Sequence, residues 1–320
     1  MRFAKPVTAM DLRTALKNGI AKLREAGVPS FTLAAELLLL HVLVRDRTWI
    51  YSHPEEEVSV QDAERYFALI ARRAGGEPTQ HLTGKQEFWG LEFEVTPDVL
   101  IPRPETEHVI EVALDRLAGR ELRAGRPQKS DGTGLRIADI GTGCGCMAIA
   151  LAKELPAATI YATDISFPAI KVAGRNAIRH GCGDRFHLML SNLLEGFTGD
   201  ARRLPPVDLP FIPTRSSGLL DLIVSNPPYI GRREAATLMR EVRDYEPEIA
   251  LYGGEEGYEI YADLITESAA LLKSGGVLVL ELGHNSLPAV QPLLDAPTWT
   301  NVGVTNDLAG VPRVLSADRL

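Results

Sequence analysis

A glycine-rich turn between an apolar strand and a helix is the feature that most restricts the fold of this chain. The stretch IADIGTGCGCMAIALAKEL, residues 137–155, begins as a predicted buried strand and ends as a predicted helix. Gly141, Gly143 and Gly145 lie between the two, and glycine both turns tightly and lets a ligand approach the backbone. The pattern predicts the first strand and helix of an α/β sheet, with a ligand site at the turn.

Strands and helices alternate from residue 101 onward, which is typical of a largely parallel α/β sheet. The predicted strands are LRIADI, TIYATDI, FHLML, LLDLIVS, GVLVLELG, TNVGVTNDLAG and PRVLSADR. Two stretches, 120–134 and 195–218, are expected to be irregular insertions because glycine, proline and polar residues interrupt the pattern.

The amino-terminal part of the chain has only helical patterns. Thr8 with Asp11 and Ser59 with Asp62 resemble helix-capping pairs ahead of amphipathic runs. The stretch KQEFWGLEFEV then alternates like two short strands broken at Gly90. The predicted organisation is a helical domain over residues 1–83, a β-hairpin linker over 84–100 and an α/β domain over 101–320.

Composition argues against several classes of protein. The 320 residues carry a formal net charge of −8, which disfavours attraction to a phosphate backbone. The first residues lack the apolar segment of a secretory signal, and the most apolar stretch, FTLAAELLLLHVLV, is too short to span a bilayer. Three cysteines are too few for a disulfide framework or a four-ligand zinc site. We therefore expect a cytoplasmic protein with no metal, no membrane association and no stably bound nucleic acid.

The residues around the glycine turn discriminate between three kinds of ligand. A dinucleotide fingerprint needs glycine or alanine at its sixth place, where this chain has Cys146, and the Gly-Lys-Ser/Thr ending of a Walker A loop is missing. S-adenosylmethionine has no phosphate and needs backbone room instead, so it is the favoured ligand. The alternative that this is a nucleotide-type turn with no bound ligand also stays open. Asp139, at the end of the strand, would orient the loop or the methionyl ammonium, and Cys144 is expected to be a small apolar residue of the loop.

Polar residues also follow the next two predicted strands. Asp164 lies 23 residues after Gly141, a spacing that suits hydrogen bonding to ribose hydroxyls, although Asp164 could instead cap the following helix. Asn192 follows the third strand, where an adenine ring would lie, and its side-chain oxygen could accept from the exocyclic amine. A turn-forming role for Asn192 is nearly as consistent with the pattern.

The stretch LLDLIVSNPPYIG, residues 219–231, ends a buried strand on Asn226 and two prolines. Proline fixes φ, and it holds the preceding residue in extended geometry, so Asn226 and Pro227 become nearly rigid at the ligand-binding edge of the sheet. The Asn226 carboxamide oxygen and the Pro227 carbonyl are then fixed acceptors, and Tyr229 offers a flat face beside them. Two acceptors and a ring suit a planar –NH2 group of an amide, an adenine or a guanine.

Holding both hydrogens of such a nitrogen can direct its lone pair at the sulfonium methyl of S-adenosylmethionine for in-line transfer. Charge passes toward the nitrogen during the transfer, and dipoles aimed there stabilise it. No strong base is needed before the attack, since the proton can leave afterward. The competing interpretation is a proline-rich strand exit with no chemical role.

With these motifs established, the chain resembles a known family. NPPY and GTGCG together resemble class I methyltransferases that act on amide or exocyclic nitrogens. Residues 76–114, SNPPYI and YEPEIALYGGEEG closely resemble the release factor glutamine methyltransferases, and the likeness extends over nearly the whole chain. The resemblance implies a class I, Rossmann-like, seven-stranded mostly parallel sheet with an antiparallel last strand, plus a small amino-terminal helical domain that docks the substrate. It also implies methyl transfer from S-adenosylmethionine to the side-chain amide of the Gly-Gly-Gln glutamine of peptide chain release factors.

The resemblance implies two sets of site residues. The expected cofactor residues are Asp139, Gly141, Thr142, Gly143, Cys144, Gly145, Asp164, Asn192, Leu193 and Asn226. The expected substrate residues are Asn226, Pro227, Pro228, Tyr229 and Arg103, with Asn226, Pro227 and Tyr229 also catalytic. Relatives often place an acid and an aromatic residue where this chain has Asn192 and Leu193. This chain therefore differs from them at the residues expected to contact adenine.

Other functions stay open at this point. An rRNA guanine-N2 or a DNA adenine-N6 methyltransferase could use the same acceptors, but either would be expected to carry a basic recognition region. A cofactor-binding adaptor without activity is disfavoured by the intact Asn226-Pro-Pro-Tyr229 motif. A NAD-dependent dehydrogenase is disfavoured by Cys146 and by the strand-end prolines.

Overall fold

The computed structural model describes residues 10–123, 131–198 and 219–320. The helices are α1 (Leu12–Glu25), α2 (Phe31–Leu43), α3 (Arg47–Ser52), α4 (Val60–Ala74), α5 (Thr79–Thr83), α6 (Glu107–Arg123), α7 (Cys146–Glu154), α8 (Phe167–Arg179), α9 (Glu195–Thr198), α10 (Arg240–Arg243), α11 (Glu248–Leu251), α12 (Ile260–Leu271) and α13 (Leu287–Val290). Short 3₁₀ turns cover Pro104–Thr106, Gly183–Arg185, Arg232–Thr237 and Gln291–Leu294.

The strands form one large sheet and three short pairs. They are β1 (Met10–Asp11), β2 (Glu57–Val58), β3 (Lys85–Phe88), β4 (Leu91–Glu94), β5 (Arg136–Ile140), β6 (Thr159–Asp164), β7 (Phe186–Leu190), β8 (Leu220–Ser225), β9 (Ile230–Gly231), β10 (Tyr252–Gly254), β11 (Leu272–Glu281), β12 (Trp299–Asn306) and β13 (Pro312–Arg319). The chain divides into two compact units, one of residues 1–85 with 239–245 and one of residues 86–238 with 246–320.

The first unit is a small helical body with its own core. Asp11 caps α1 by accepting from the Thr14 N–H at 2.7 Å, and Ser59 caps α4 by accepting from the Asp62 N–H at 3.1 Å. The capping prediction at Ser59 is therefore confirmed. The predicted pair of Thr8 with Asp11 is wrong, because Asp11 itself is the N-cap of α1; Thr8 lies outside the described residues. The core of this unit contains Leu12, Ala15, Leu23, Ala35, Leu38, Leu39, Tyr66 and Ile70.

A short segment from late in the chain completes the first unit. Residues 239–245, which include α10, belong to it. Arg73 is 5% exposed and forms an ion pair with Glu241 of this segment, and Tyr245 donates to the Gly75 carbonyl at 3.4 Å. The helical unit is therefore formed by two stretches that are far apart in sequence.

β3 and β4 pair as the hairpin that the alternation in KQEFWGLEFEV predicts. Trp89 and Gly90 form the two-residue connection and have φ of 54° and 69°. Two positive φ values in succession are those of a type I′ turn, whose twist matches that of the paired strands. The hairpin groups with the second unit from Gln86 onward. The predicted domain boundaries at residues 83 and 100 stay a prediction.

The second unit is built on a seven-stranded sheet of order β12-β13-β11-β8-β5-β6-β7. The pairs among β11, β8, β5, β6 and β7 are parallel, and β13 is antiparallel to both β11 and β12. The prediction of a mostly parallel sheet of seven strands with an antiparallel last strand is confirmed.

The central strands are buried on both faces, and their side chains alternate between two cores. On β8, Leu222 and Val224 belong to one core, and Ile223 between them belongs to the other. This is the period of two that a strand imposes, and continuous apolar runs are expected of parallel strands that helices cover on both sides. The fold thereby brings the carboxyl ends of β5, β6 and β8 to one edge.

The predicted insertions differ in part from the structure. Residues 120–123 continue α6 and are not irregular, since the helix extends to Arg123. Glu195–Thr198 forms α9, and the rest of the second insertion, 199–218, lies outside the described residues, as does 124–130. Across the described ranges, every helix is too short or too polar to cross a membrane.

Candidate active site

The carboxyl ends of the central strands border a cavity of about 260 Å³. This is the edge at which open α/β sheets bind ligands. The predicted site residues on its wall are Gly141, Thr142, Gly143, Cys144, Asp164, Asn192, Leu193, Asn226, Pro227 and Pro228. The fold therefore brings together the glycine turn, the ends of the next two strands and the Asn-Pro-Pro turn, which are widely separated in sequence.

The glycine turn combines left-handed backbone with free space. Gly141, Gly143 and Gly145 have φ of 73°, 56° and 87°. A Cβ at Gly143 would meet no atom within 4 Å, whereas one at Gly145 would lie 3.2 Å from the Cβ of Ala173. Backbone conformation therefore selects glycine at residue 143, and close packing adds to that selection at residue 145. The turn offers room for a ligand at Gly143, while Gly145 lies behind the wall.

Asp139 lies behind the turn and is fully buried. Its Oδ2 accepts from the Thr142 hydroxyl at 2.7 Å and from the Ala148 N–H at 3.1 Å, which ties the turn to the start of α7. The pKa of Asp139 is raised to about 7; burial is the largest cause, the charge of Asp164 also raises it, and these two hydrogen bonds lower it. Among the described residues, Oδ1 of Asp139 has no hydrogen-bond partner.

Asp164 ends β6 and lies on the cavity wall. One carboxylate oxygen accepts from the Gly143 N–H at 2.9 Å and the other from the Ser166 N–H at 2.8 Å. The alternative that Asp164 caps the following helix is wrong, because Ser166 is the N-cap of α8 and accepts from Ala169. Burial raises the pKa of Asp164, and the backbone hydrogen bonds oppose that rise. Each carboxylate oxygen retains a lone pair that could accept from a ligand hydroxyl.

The turn after β7 is held by a hydrogen bond within it and by one from β6. The Asn192 amide donates to Glu195 Oε1 at 2.9 Å, and Leu193 has a φ of 43°, which is uncommon for a residue with a branched side chain. The Leu193 carbonyl accepts from the Thr163 hydroxyl at 3.3 Å. Both Asn192 and Leu193 reach the cavity wall, which makes the turn-forming and ligand-facing interpretations of Asn192 compatible.

Asn226 is oriented by a residue from another element. Its amide Nδ2 donates to the Thr106 hydroxyl oxygen at 3.1 Å. Just before it, the Ser225 hydroxyl donates to the Ile140 carbonyl at 2.7 Å, joining the ends of β8 and β5. Because Nδ2 is committed to Thr106, the other end of the carboxamide, Oδ1, is left as an acceptor at the cavity wall.

Tyr229 and Arg103 have partners away from the cavity. The Tyr229 hydroxyl donates to Glu281 Oε1 at 3.3 Å, and its ring packs against the core on that side of the sheet. Arg103 donates to Glu246 Oε1 at 2.5 Å, and Glu246 is 5% exposed. Neither side chain is part of the wall that the described residues form, so their predicted contacts with a substrate stay predictions.

Several wall residues were not predicted as site residues. Ile165 follows Asp164 on the wall and is 49% exposed. Ile249, Ala250 and Tyr252 come from the stretch YEPEIALYGGEEG, in which no chemical pattern assigns these three residues to a site. The buried Glu281, at the end of β11, was also missed. An acid that ends an otherwise apolar strand was the available signal for Glu281.

Two family profiles match parts of this chain. A family profile described as PrmC N-terminal domain matches residues 14–84, and one described as Ribosomal protein L11 methyltransferase (PrmA) matches residues 123–201. The Release factor glutamine methyltransferase of Koribacter versatilis is 40% identical over 306 residues, which cover 96% of this chain and 98% of that protein. A protein of the same name from Chlorobaculum tepidum is 39% identical, with 94% of this chain and 95% of that protein covered.

Among solved structures, the hMettl16 catalytic domain in complex with MAT2A 3′UTR hairpin 6 has a TM-score of 0.51 at 18% identity, covering 78% of this chain and 81% of that chain. That likeness shows the fold alone. The sheet order, the glycine turn and the Asn-Pro-Pro-Tyr motif define the chain as a class I methyltransferase. The sequence comparisons identify a particular family within this class. The chain belongs to the release factor glutamine methyltransferases, as the resemblance of its motifs predicted, and this family is favoured over the nucleic-acid methyltransferases.

Proposed function

We propose that this chain transfers a methyl group from S-adenosylmethionine to the side-chain amide nitrogen of the glutamine in the Gly-Gly-Gln motif of peptide chain release factors. The observation that carries the proposal is the orientation of Asn226. Its Nδ2 donates to Thr106 at 3.1 Å, which leaves Oδ1 as an acceptor on the same cavity wall as the glycine turn. A primary amide has two hydrogens to donate and suits such a site.

The substrate amide is proposed to lie against two fixed acceptors. Asn226 Oδ1 takes one N–H and the Pro227 carbonyl takes the other, so the plane of the amide is set by the protein. Pro227 and Pro228 restrict the backbone that carries both acceptors. Tyr229, which donates a hydrogen bond to Glu281, supports the Asn-Pro-Pro turn. Arg103, which pairs with Glu246, is also proposed to bind the substrate.

The residues on the wall fit S-adenosylmethionine. When bound, this cofactor supplies an electrophilic methyl carbon on a sulfonium sulfur. Gly141, Thr142, Gly143 and Cys144 would give its amino-acid portion backbone contacts, while Gly145 behind them allows the turn to pack against Ala173. The unpartnered buried Oδ1 of Asp139 supports an electrostatic role toward the ammonium group. Asp164 would accept from the ribose hydroxyls, and Asn192 and Leu193 would lie beside the adenine.

The protein's own groups account for the expected rate enhancement without a strong base. An amide nitrogen is a weak nucleophile because its lone pair is delocalised into the carbonyl. Acceptor dipoles at Asn226 and Pro227 stabilise the positive charge that develops on the nitrogen as the methyl group arrives. The S–CH3 bond would break as the N–C bond forms, with S-adenosylhomocysteine as the product, and the surplus proton would leave the nitrogen for solvent after the transfer. We propose no metal in these steps.

The helical unit is proposed to dock the release factor. The proposed boundaries are residues 1–83 for this docking part, 84–100 for the hairpin linker and 101–320 for the methyltransferase part. A substrate of this kind also supports a cytoplasmic site of action. The residue that is methylated is thereby selected by protein docking together with the amide-specific acceptors.

The test is an assay with labelled S-adenosylmethionine and three substrates: a release factor, the same factor with its Gly-Gly-Gln glutamine changed to alanine, and an rRNA or DNA duplex. Label on the native factor alone is the expected result. Label on the nucleic acid, or equal label on the alanine variant, would overturn the proposal in favour of an exocyclic-amine methyltransferase or another acceptor residue.

A further inference from the structure

Asn176 is a buried amide on α8 that the chemistry above does not use. Its exposed fraction is 0%, although asparagine is mostly found at the surface of proteins. A buried carboxamide is costly unless its donors and its acceptor are paired, so the partners of Asn176 indicate what it does. These partners belong to two other parts of the second unit, the hairpin strand β4 and the glycine turn.

Two hydrogen bonds join Asn176 to Glu94, the last residue of β4. The Glu94 N–H donates to Asn176 Oδ1 at 2.8 Å, and Asn176 Nδ2 donates to the Glu94 carbonyl at 3.0 Å. Because a backbone N–H can only donate, the carboxamide must present its oxygen to that group. The hairpin strand thereby fixes the direction in which the second hydrogen of Nδ2 points.

That second hydrogen is donated to the Cys144 carbonyl at 2.8 Å. Cys144 lies in the glycine turn and on the cavity wall, and it is buried. The N–H of the same peptide group, which belongs to Gly145, donates to the Thr142 carbonyl at 2.8 Å. Both polar groups of the Cys144–Gly145 peptide are therefore bonded within the protein, the N–H by the turn itself and the carbonyl by Asn176.

We propose that Asn176 is a positioning residue, which holds the Cys144–Gly145 peptide in the orientation that the glycine turn needs to bind S-adenosylmethionine. This inference rests on the proposed cofactor site, because it assigns a function to the shape of that site. Asn176 acts through Cys144 and does not itself line the cavity.

The residue that follows this peptide makes the anchor necessary. Gly145 has a φ of 87°, and glycine changes φ at little steric cost. Without the Asn176 donor, the buried Cys144 carbonyl would lose its partner, which costs free energy. Rotation of the peptide would relieve that cost by turning the carbonyl toward the cavity. The carbonyl would then face the space proposed for the amino-acid portion of the cofactor.

The other hydrogen bonds of the turn act before this peptide. The Thr142 hydroxyl donates to Asp139 at 2.7 Å, and the Gly143 N–H donates to Asp164 at 2.9 Å. Both bonds hold the first half of the turn. The Cys144 carbonyl comes after them in the chain, so its orientation depends on the side chain from α8.

The test compares N176A with R175A. N176A removes both hydrogen-bond donors without burying a charge. R175A is the matched control, because Arg175 precedes Asn176 on α8 and also binds Glu94, whose carboxylate it pairs with at 2.6 Å. Both variants weaken the attachment of the hairpin at Glu94, but only N176A removes the hydrogen bond to Cys144.

Calorimetry with S-adenosylhomocysteine should give a Kd for N176A at least about tenfold above that of the wild type, and a Kd for R175A within about twofold of it. In N176A, kcat at saturating cofactor and the KM for the release factor should stay within about threefold of the wild-type values, because the acceptors at Asn226 and Pro227 are unchanged. A residue that only attached the hairpin would instead change both variants alike.

A second readout uses the protein without cofactor. Rotation of the peptide would separate the Gly145 N–H from Thr142. Hydrogen exchange of the backbone amides of residues 141–146 should therefore be faster in N176A than in the wild type and unchanged in R175A. Should N176A fail to fold, N176D replaces it, since its ionised side chain keeps an acceptor for Glu94 but has no hydrogen for Cys144.

The outcomes separate the two proposals. A wild-type protein that does not bind S-adenosylhomocysteine contradicts the proposed cofactor site. A wild-type protein that binds it while N176A has the same Kd and the same exchange rates contradicts the positioning role alone. Equal losses of affinity in N176A and R175A would also contradict that role, because the loss would then come from the hairpin and not from Cys144.

Discussion

The Asp164 carboxylate accepts a hydrogen bond from the backbone N–H of Gly143 at 2.9 Å. This bond joins the end of β6 to the glycine turn that follows β5, so two stretches of the proposed cofactor site are held in one arrangement. The same carboxylate also accepts from Ser166 at the start of α8. Asp164 thus fixes the shape of the cavity as well as offering acceptors to a ligand.

We first predict that D164N weakens cofactor binding. The amide retains the size of the carboxylate, but it replaces one acceptor oxygen with a donor that opposes the Gly143 or Ser166 N–H. A loss of about 1–3 kcal/mol, roughly 5–150-fold in Kd, is expected. Titration calorimetry with S-adenosylhomocysteine measures it, and D115N, an exposed acid on α6, is the control. Equal affinities in D164N and D115N would exclude a ligand role for Asp164.

A second prediction compares two glycines with the same backbone strain. Gly143 and Gly181 have φ of 56° and 65°, and an added Cβ at either would meet no atom within 4 Å. G143A and G181A should therefore each lose about 1 kcal/mol in the free energy of unfolding. Cofactor affinity should fall only in G143A, because Gly143 alone lies on the cavity wall. Chemical denaturation and calorimetry give both numbers, and parallel affinities in the two variants would argue against cofactor contact at Gly143.

A third prediction separates catalysis from cofactor binding. N226A removes the acceptor that Thr106 orients, so kcat should fall by about 10²–10³-fold, as when a preorganised polar contact to a transition state is lost. The Kd for S-adenosylhomocysteine should change by less than about threefold. Single-turnover methyl transfer measures the first quantity. Retention of near-wild-type kcat in N226A would contradict the assignment of Asn226.

A fourth prediction concerns stability against pH. The pKa of Asp139 is about 7 in the folded protein, above its ordinary value of 3.8, so the folded state binds the proton more tightly than the unfolded state does. The resulting stability is present below about pH 4 and is lost as pH rises through about 7, at up to about 1.4 kcal/mol per pH unit. D139N should flatten this dependence between pH 5 and 7 in urea denaturation. The same slope in both proteins would show that Asp139 is ionised when buried.

The strands of the sheet and the positions of its ligand loops were predictable, because both depend on local patterns. The apolar runs ending at Ile140, Asp164 and Ser225 predicted parallel strands whose carboxyl ends meet at one edge. The two prolines after Asn226 likewise predicted a rigid residue at this edge, because proline restricts the backbone of the residue before it. Short-range chemistry of this kind needs no knowledge of distant residues.

Partners that come from distant parts of the chain were not predictable. Thr106 lies 120 residues before Asn226, and Glu281 lies 52 residues after Tyr229. No local pattern specifies that a 3₁₀ turn and the end of β11 converge beneath the Asn-Pro-Pro turn. The same holds for residues 239–245, which join the helical unit although their sequence neighbours belong to the other one.

The most direct test is the binding of release-factor peptides that differ only at the Gly-Gly-Gln glutamine, measured with S-adenosylhomocysteine present. Glutamate has the shape of glutamine but offers no hydrogens to Asn226 Oδ1 and the Pro227 carbonyl. We predict that the glutamate peptide binds at least about tenfold more weakly than the glutamine peptide and that N226A reduces this difference. Equal binding of the two peptides to the wild-type protein would contradict recognition of the amide by paired acceptors.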